Sequence, residues 1–442
     1  MLTTREPAVP TPRGRSAACF AVLGAALVGF LSADCSKPPP ARRVLLIGID
    51  GASMRIIEPL LAEGQLPTLE AIARQGVHDI LRSQAPIDSP PIWNTIVTGM
   101  VREKHGIPSF AYEDDSGAAH LFLSTDRKVP ALWNIVSATG RSVGVVNFWN
   151  TYPPDRVNGV MVSDHVLARE VDDRAALTNA PAPAGGTAVY PAGWAKRIRK
   201  LLESGDPLTD TPNPFLDNAA LPHWLLVQDL VRRYEEDTAL ARIALEIERE
   251  IRPDLLMVLL PGIDRVSHHL WGNLEPPEKY DRSLRPTDSE RAAGKKALYD
   301  YYQHVDGLIG VLSANFGPND LVMVVSDHGF EAGQPLMHLT GKHEGDEALD
   351  GVIFARGEGV GPPGGGIAGA NISNVTPTIL AWFDLPIAQD MNGRVMRFLR
   401  ESRTPKTIAS HQDTPVEKVT EAPSGAEREI LEQLRAIGYL RE

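Results

Sequence analysis

The chain has 442 residues, 43% of them hydrophobic, enough for one large α/β domain or for two smaller ones. A formal net charge of −12 excludes a broad nucleic-acid footprint, because duplex binding draws on clustered Lys and Arg that this chain lacks. Both cysteines, Cys19 and Cys35, fall near the start, so the folded part has no disulfide and its metal ligands cannot be thiolates.

In chain order, Arg13 and Arg15 precede an apolar run from Ala17 to Leu31, the layout of an export signal. The run is short for a membrane span, so cleavage is the expectation, with an uncleaved N-terminal membrane anchor as the alternative. The stretch LSADC resembles the lipid-attachment box of bacterial lipoproteins, with Cys35 as acceptor, although Asp34 stands where such boxes want a small residue. The expected location is the periplasm or cell envelope. KPPPARR, Lys37 to Arg43, reads as a stiff linker, which makes residues 1–43 leader and linker.

Three later segments share one format: VLLIGID from Val44, LLMVLLPGID from Leu255 and LVMVVSD from Leu321. Each is continuously apolar, without the alternation of a half-wet strand, so each suits a parallel strand covered on both faces. Helical patterns lie between them at Pro67–Gly76, Ala131–Gly140 and Tyr301–Gly317. This grammar predicts an α/β fold with a doubly wound, mostly parallel central sheet and helices on both faces. The core is expected at 44–165 and 251–400. The Pro, Ala and Gly-rich stretch and long charged helix of 166–250 read as a cap insertion, with a smaller insertion near 273–294. Residues 401–442 read as a tail with an amphipathic terminal helix ending at Gly438.

Each of the three apolar runs leads to an aspartate, Asp50, Asp264 and Asp327, and the carboxyl ends of strands in open parallel sheets form the ligand crevice. Like charges gathered there repel unless a cation sits between them, so the pattern points to metal binding. His268 lies four residues after Asp264, on one face if a helical turn follows, while His328 follows Asp327 directly and His343 sits in GKHEGD. Oxygen and imidazole donors without sulfur favour zinc, manganese or iron over magnesium or calcium. Ser89 precedes two prolines and a helical pattern, which is either a plain N-cap or a nucleophile at a helix N-terminus.

Taken together, IDG at Asp50, DSPPIWNTIVTGMVREKHGI from Asp88, DRVSHHLW from Asp264, SDHGF from Ser326 and GKHEGD from Gly341 resemble the alkaline phosphatase superfamily. Within it the likeness is to the type I phosphodiesterase and nucleotide pyrophosphatase branch, with the segment Asn374–Met396 similar to the end of its core. The resemblance implies two adjacent divalent metals, usually zinc, with manganese or iron as alternatives. One would be held by Asp50, Asp327, His328 and Ser89, the other by Asp264, His268 and His343. It also implies an activated Ser89 nucleophile and a phosphoseryl intermediate, with no general-base histidine.

Two departures bear on substrate. Nucleotide pyrophosphatases typically carry Thr at the position of Ser89, and an Asn soon after HGI where this chain has Phe110; Asn94 and Lys342 are the candidate substitutes for that phosphate contact. Trp93 replaces the arginine of the sulfatase signature, which argues against a sulfatase. The expectation is a phosphodiesterase acting on a small-molecule, lipid or envelope phosphoester. The alternatives are a phosphotransferase moving a phosphoryl-linked head group to an envelope or lipid acceptor, a phosphomonoesterase or phosphonate hydrolase, and a non-enzymatic metal-binding surface protein. Asp164, His165, His269, His304 and His338 are expected to be structural, and His105 to stabilise the turn after the nucleophile helix.

Overall fold

The three continuous apolar runs are neighbouring strands. In the computed structural model, which describes residues 42–167, 188–216, 221, 224–280, 285–336, 339–399, 405–419 and 426–436, eight strands form the main sheet. They are β1 (Val44–Ile49), β2 (Val77–Arg82), β3 (Val143–Val146), β4 (Gly159–Val162), β5 (Val189–Tyr190), β6 (Leu255–Leu260), β7 (Leu321–Val325) and β8 (Asp350–Arg356). Their spatial order is β2-β8-β7-β1-β6-β3-β4-β5. The five strands β7-β1-β6-β3-β4 run parallel, while β8 is antiparallel to both its neighbours and β5 to β4. The doubly wound, mostly parallel sheet is therefore present, with antiparallel strands toward its edges. The leader, with Cys19 and Cys35, lies outside the described residues, and so does His338. Among the described residues, no helix is long and apolar enough to cross a membrane.

The lack of alternation in β1 has a direct cause. Leu45, Ile47 and Ile49 pack into one buried cluster and Val44 and Leu46 into another, so each face of the strand meets its own core. Four helices bear on the site: α1 (Ser89–Thr98), α2 (Trp224–Ile251), α3 (Gly262–Leu270) and α4 (Asp288–Ser313). Helix α2, expected inside the cap, buries Leu240, Ala241, Ile243, Ala244 and Ile247 in the core beneath the sheet. Its charged residues are divided between an exposed side and the interior, where Arg233, Glu236, Asp237 and Glu248 are buried. Helix α4 begins thirteen residues before the expected Tyr301, inside the segment read as a second insertion. Thr287 caps it and Glu290 reaches back to Thr287 N, a capping box written in the sequence as TDSE.

At Gly48 in β1 two side chains press on the backbone: a Cβ there would lie 2.5 Å from Trp93 Cη2 and 2.7 Å from Leu259 Cδ1. Gly48→Ala is expected to destabilise the fold by roughly 1–3 kcal/mol through overpacking, read as a lower denaturant midpoint. An unchanged midpoint would contradict this packing.

Candidate active site

Strand order carries three aspartates to one rim. β7, β1 and β6 are adjacent and end together, Asp50 following β1 directly and Asp327 lying two residues beyond β7. Asp264 comes later than a strand end: after Leu260 and Pro261 the chain turns into α3, whose first turn carries it. His268, one helical turn on, shares its face, as the spacing of four predicts. The start of α3 is held by Asp237, which accepts from Gly262 N at 3.2 Å and from Tyr301 Oη at 2.9 Å. Gly51, with φ +70°, has room for no side chain beside Asp264 and donates its N–H to Asp327 Oδ1 at 3.3 Å.

The seven residues expected to converge do so. Asp50, Ser89, Asp264, His268, Asp327, His328 and His343 are all buried. His328 Nε2 stands 3.4 Å from Asp50 Oδ1, 3.5 Å from Asp327 Oδ2 and 3.8 Å from Asp264 Oδ1. Asp264 Oδ1 is also 3.6 Å from His268 Nε2 and 3.7 Å from His343 Nε2. Two groups result, Asp264 with His268 and His343, and Asp50 with Asp264 and His328, the donor atoms of each lying within 4.8 Å of one another. Asp264 thus reaches both groups, whereas the resemblance assigned it to one.

These atoms fit a divalent cation. Asp264 Oδ1, Asp327 Oδ2 and His328 Nε2 are buried with no hydrogen-bond partner, and they face the same space. His328 Nδ1 lies 2.9 Å from Gly329 O and His268 Nδ1 lies 3.1 Å from Gly341 O. Backbone carbonyls so placed take the Nδ1 proton and leave Nε2 to the carboxylates, the arrangement of metal-binding imidazoles.

Charge crowding appears directly in the proton affinities. Burial and the neighbouring Asp50 charge push Asp264 up to about 7, and burial with Asp50 holds Asp327 well above the usual carboxylate range. Burial opposes a charge on His328, but Asp327 and Asp50 outweigh it and raise the imidazole to about 10. Burial lowers His268 to about 3 and His343 well below its ordinary value, so both are neutral and able to ligate.

Ser89 is the first residue of α1, while Asp88 takes the N-cap position. Its hydroxyl is not a cap: Ser89 Oγ lies 3.4 Å from Asp50 Oδ1, inside the carboxylate cluster. Pro90 and Pro91 supply no N–H groups, so this helix end offers fewer backbone donors than its position suggested. Asn94 is fully buried and engaged by the protein, donating to Pro90 O at 2.8 Å and Asn150 Oδ1 at 2.7 Å and accepting from Arg127 at 3.3 Å. Phe110 is buried with its ring edge-on to Trp149 at 5.5 Å. Lys342 Nζ lies 3.5 Å from Glu331 and 3.7 Å from Glu344.

The residues set aside have structural posts. Asp164 accepts from Asn150 N, His165 stacks on Tyr152, and His304 stacks on Tyr234 at 3.8 Å. His269 stands 3.5 Å from Asp229. His105 bonds Thr95 Oγ1 on α1 and accepts from Ile107 N in the turn that follows. Sequence reasoning missed the indoles of Trp93 and Trp149, which both donate to Asp50 Oδ2. The available signal was that Trp93 lies four residues after Ser89, on the same helix face.

A carboxylate and imidazole crevice with a buried serine thus lies at the carboxyl rim of a doubly wound α/β sheet, where open sheets of this class bind their ligands. The chain belongs to the type I phosphodiesterase / nucleotide pyrophosphatase family, whose sequence profile matches residues 44–373. Among solved structures it is similar to phosphonate monoester hydrolase from Silicibacter pomeroyi, with 18% identity, 82% of this chain and 78% of that chain covered and a TM-score of 0.47. It is also similar to human ectonucleotide pyrophosphatase / phosphodiesterase 5, with 13% identity, 80% and 100% covered and a TM-score of 0.45. Phosphonoacetate hydrolase from Sinorhizobium meliloti 1021 matches at 17% identity and a TM-score of 0.37, over 67% of this chain and 58% of that chain, under two thirds of its length. No curated protein matches significantly.

A cation bound by the folded crevice and not by the unfolded chain adds about 2.7 kcal/mol of stability at a hundred times its Kd. Zinc, manganese or iron(II) added to chelator-stripped protein is therefore expected to raise the thermal midpoint, and Asp264→Asn to shrink that rise. No shift with any of the three would speak against a cation site.

Proposed function

We propose that the chain is an exported, divalent-cation-dependent phosphodiesterase whose nucleophile is Ser89. The observation that carries this reading is the place of Ser89 Oγ, 3.4 Å from Asp50 Oδ1 among buried donor atoms that lack partners. Membership of the type I phosphodiesterase / nucleotide pyrophosphatase family supports the reaction class. Asp50, Asp327 and His328 with Ser89 would hold one cation and Asp264, His268 and His343 the other. Zinc suits these donors best. Bound cations supply two things here, a lowered pKa at the serine hydroxyl and neutralisation of phosphoryl charge.

Ser89 is presented by a helix whose fixed registry leaves Oγ little freedom. Asn94, bonded to Asn150 and Arg127, and Thr95, bonded to His105, tie α1 to the surrounding loops. Oγ attacks phosphorus, the ester alcohol departs, and water later frees the phosphate monoester from the serine. Phe110, standing where the branch typically has an asparagine, packs edge-on against Trp149 and offers no polar group to a phosphate, which favours diesters other than nucleotides, small-molecule or carried on lipid or envelope. The leader supports the periplasm or cell envelope as location, with Cys35 as the candidate lipid-attachment residue.

Purified protein incubated with bis(p-nitrophenyl) phosphate, the matching monoester and a phosphonate ester is expected to turn over the diester fastest, and to stop on chelation. Turnover only after an alcohol or lipid acceptor is added would favour group transfer. Ser89→Ala is expected to lose at least about a thousand-fold in kcat while keeping its thermal midpoint and most of its bound metal. Near-normal turnover by that variant would remove Ser89 as nucleophile.

A further inference from the structure

A carboxylate ligand has two oxygens, and a crowded site must decide which of them meets the cation. At Asp50 the decision is visible. Trp93 Nε1 donates to Oδ2 at 3.0 Å and Trp149 Nε1 donates to the same oxygen at 3.3 Å. The other oxygen, Oδ1, is 3.4 Å from Ser89 Oγ and 3.4 Å from His328 Nε2. One oxygen is thus saturated by two indole N–H groups while its twin faces the crevice. We propose that Trp93 and Trp149 form a paired indole clamp that restricts Asp50 to a single cation-facing oxygen, which makes both positioning residues for the cation shared with Ser89.

Three features support the clamp. The indole N–H is a donor with no acceptor lone pair, and it does not titrate with the groups around it. It fixes the carboxylate without contributing the positive charge that an arginine or histidinium would set against an arriving cation. Trp93 and Ser89 are four apart on α1, so a single helix face delivers the hydroxyl to Oδ1 and the indole to Oδ2. The ring of Trp93 occupies the gap left by Gly48, two residues before Asp50 on the same strand.

Trp149 comes from elsewhere, from the loop after β3, with the left-handed residues Asn147 (φ +63°) and Asn150 (φ +56°) on either side. Their polar atoms fasten that bend. Asn147 Nδ2 donates to Leu259 O at 3.1 Å, and Asn150 N donates to Asp164 Oδ2 at 2.8 Å. Asn adopts such φ values more readily than other non-glycine residues, and these bonds hold both residues in place. Phe110 then buttresses the indole edge-on, backed by Leu121, Leu431 and Leu434.

The clamp rests on the reading of Asp50 as a cation ligand, and the test separates the two. Zinc is titrated into chelator-stripped full-length wild type, Trp93→Phe, Trp149→Phe, the double variant and Asp50→Asn, against a chelating dye. Each single Phe variant is expected to weaken one of the two zinc sites by about ten- to hundred-fold and to leave the other unchanged, the double variant weakening it further. Diester turnover should fall in kcat with little change in KM. Two sites of wild-type affinity in both Phe variants, even with a lowered thermal midpoint, would overturn the clamp and reduce the indoles to packing. Wild-type affinity in Asp50→Asn would overturn the ligand reading beneath it. Trp149 is partly exposed, so Trp149→Phe decides the matter should Trp93→Phe fail to fold.

Discussion

Three buried carboxylates on one rim constrain everything around them. Asp50 and Asp327 stand just beyond β1 and β7 and Asp264 in the first turn of α3 beyond β6, and all three are buried. Ionised together in a low-dielectric space, they repel strongly, and the chain answers by raising the proton affinity of Asp264, Asp327 and His328. A proton on His328, within 3.8 Å of all three carboxylates, is a weak substitute for a divalent ion in the same space. The site is thus built with a deficit of positive charge, and two more imidazoles, kept neutral by burial, stand ready as donors.

The surrounding structure serves to hold those groups still. Carbonyls of Gly329 and Gly341 orient two imidazoles, the Gly51 amide takes one oxygen of Asp327, and the indoles of Trp93 and Trp149 take one oxygen of Asp50. In each case the spare atom of a ligand is tied to a neutral partner, which preserves the charge deficit while removing rotational freedom. Orientation of this kind is what lets a site bind a cation without first spending binding energy on its own rearrangement. The same logic extends to α1, where Asn94 is drawn into the Arg127 and Asn150 network and not toward the crevice.

Much of this was legible in the sequence, for physical reasons. A strand buried on both faces has to be apolar throughout, so β1, β6 and β7 announced themselves, and an aspartate closing such a run is conspicuous. Residues acting over short chain distance were equally readable: Asp264 with His268, Asp327 with His328. What escaped was of two kinds. Strands β3 and β4 are only four residues each and too brief to show a period. The contacts of Asn94 and Trp149 depend on segments 56 and 99 residues away, and nothing local to either residue encodes the partner.

Phe110 shows how one residue can redirect the surroundings of the carboxylate and imidazole cluster. An asparagine there would present an amide to the phosphate, whereas the phenyl ring turns to Trp149 and joins the cluster that receives Leu431 and Leu434 of the terminal helix Ala426–Ala436. That helix is fastened besides by Glu427, which accepts from Leu121 N at 3.1 Å. A residue that in the branch's usual pattern would hold substrate is here a structural strut, linking the helix Ala426–Ala436 to an indole that donates to Asp50. A direct polar contact is replaced by rigidity around the Asp50 carboxylate. Under the proposed reading, a site altered in this way would keep the chemistry set by its cations and Ser89 while losing a polar handle on the ester.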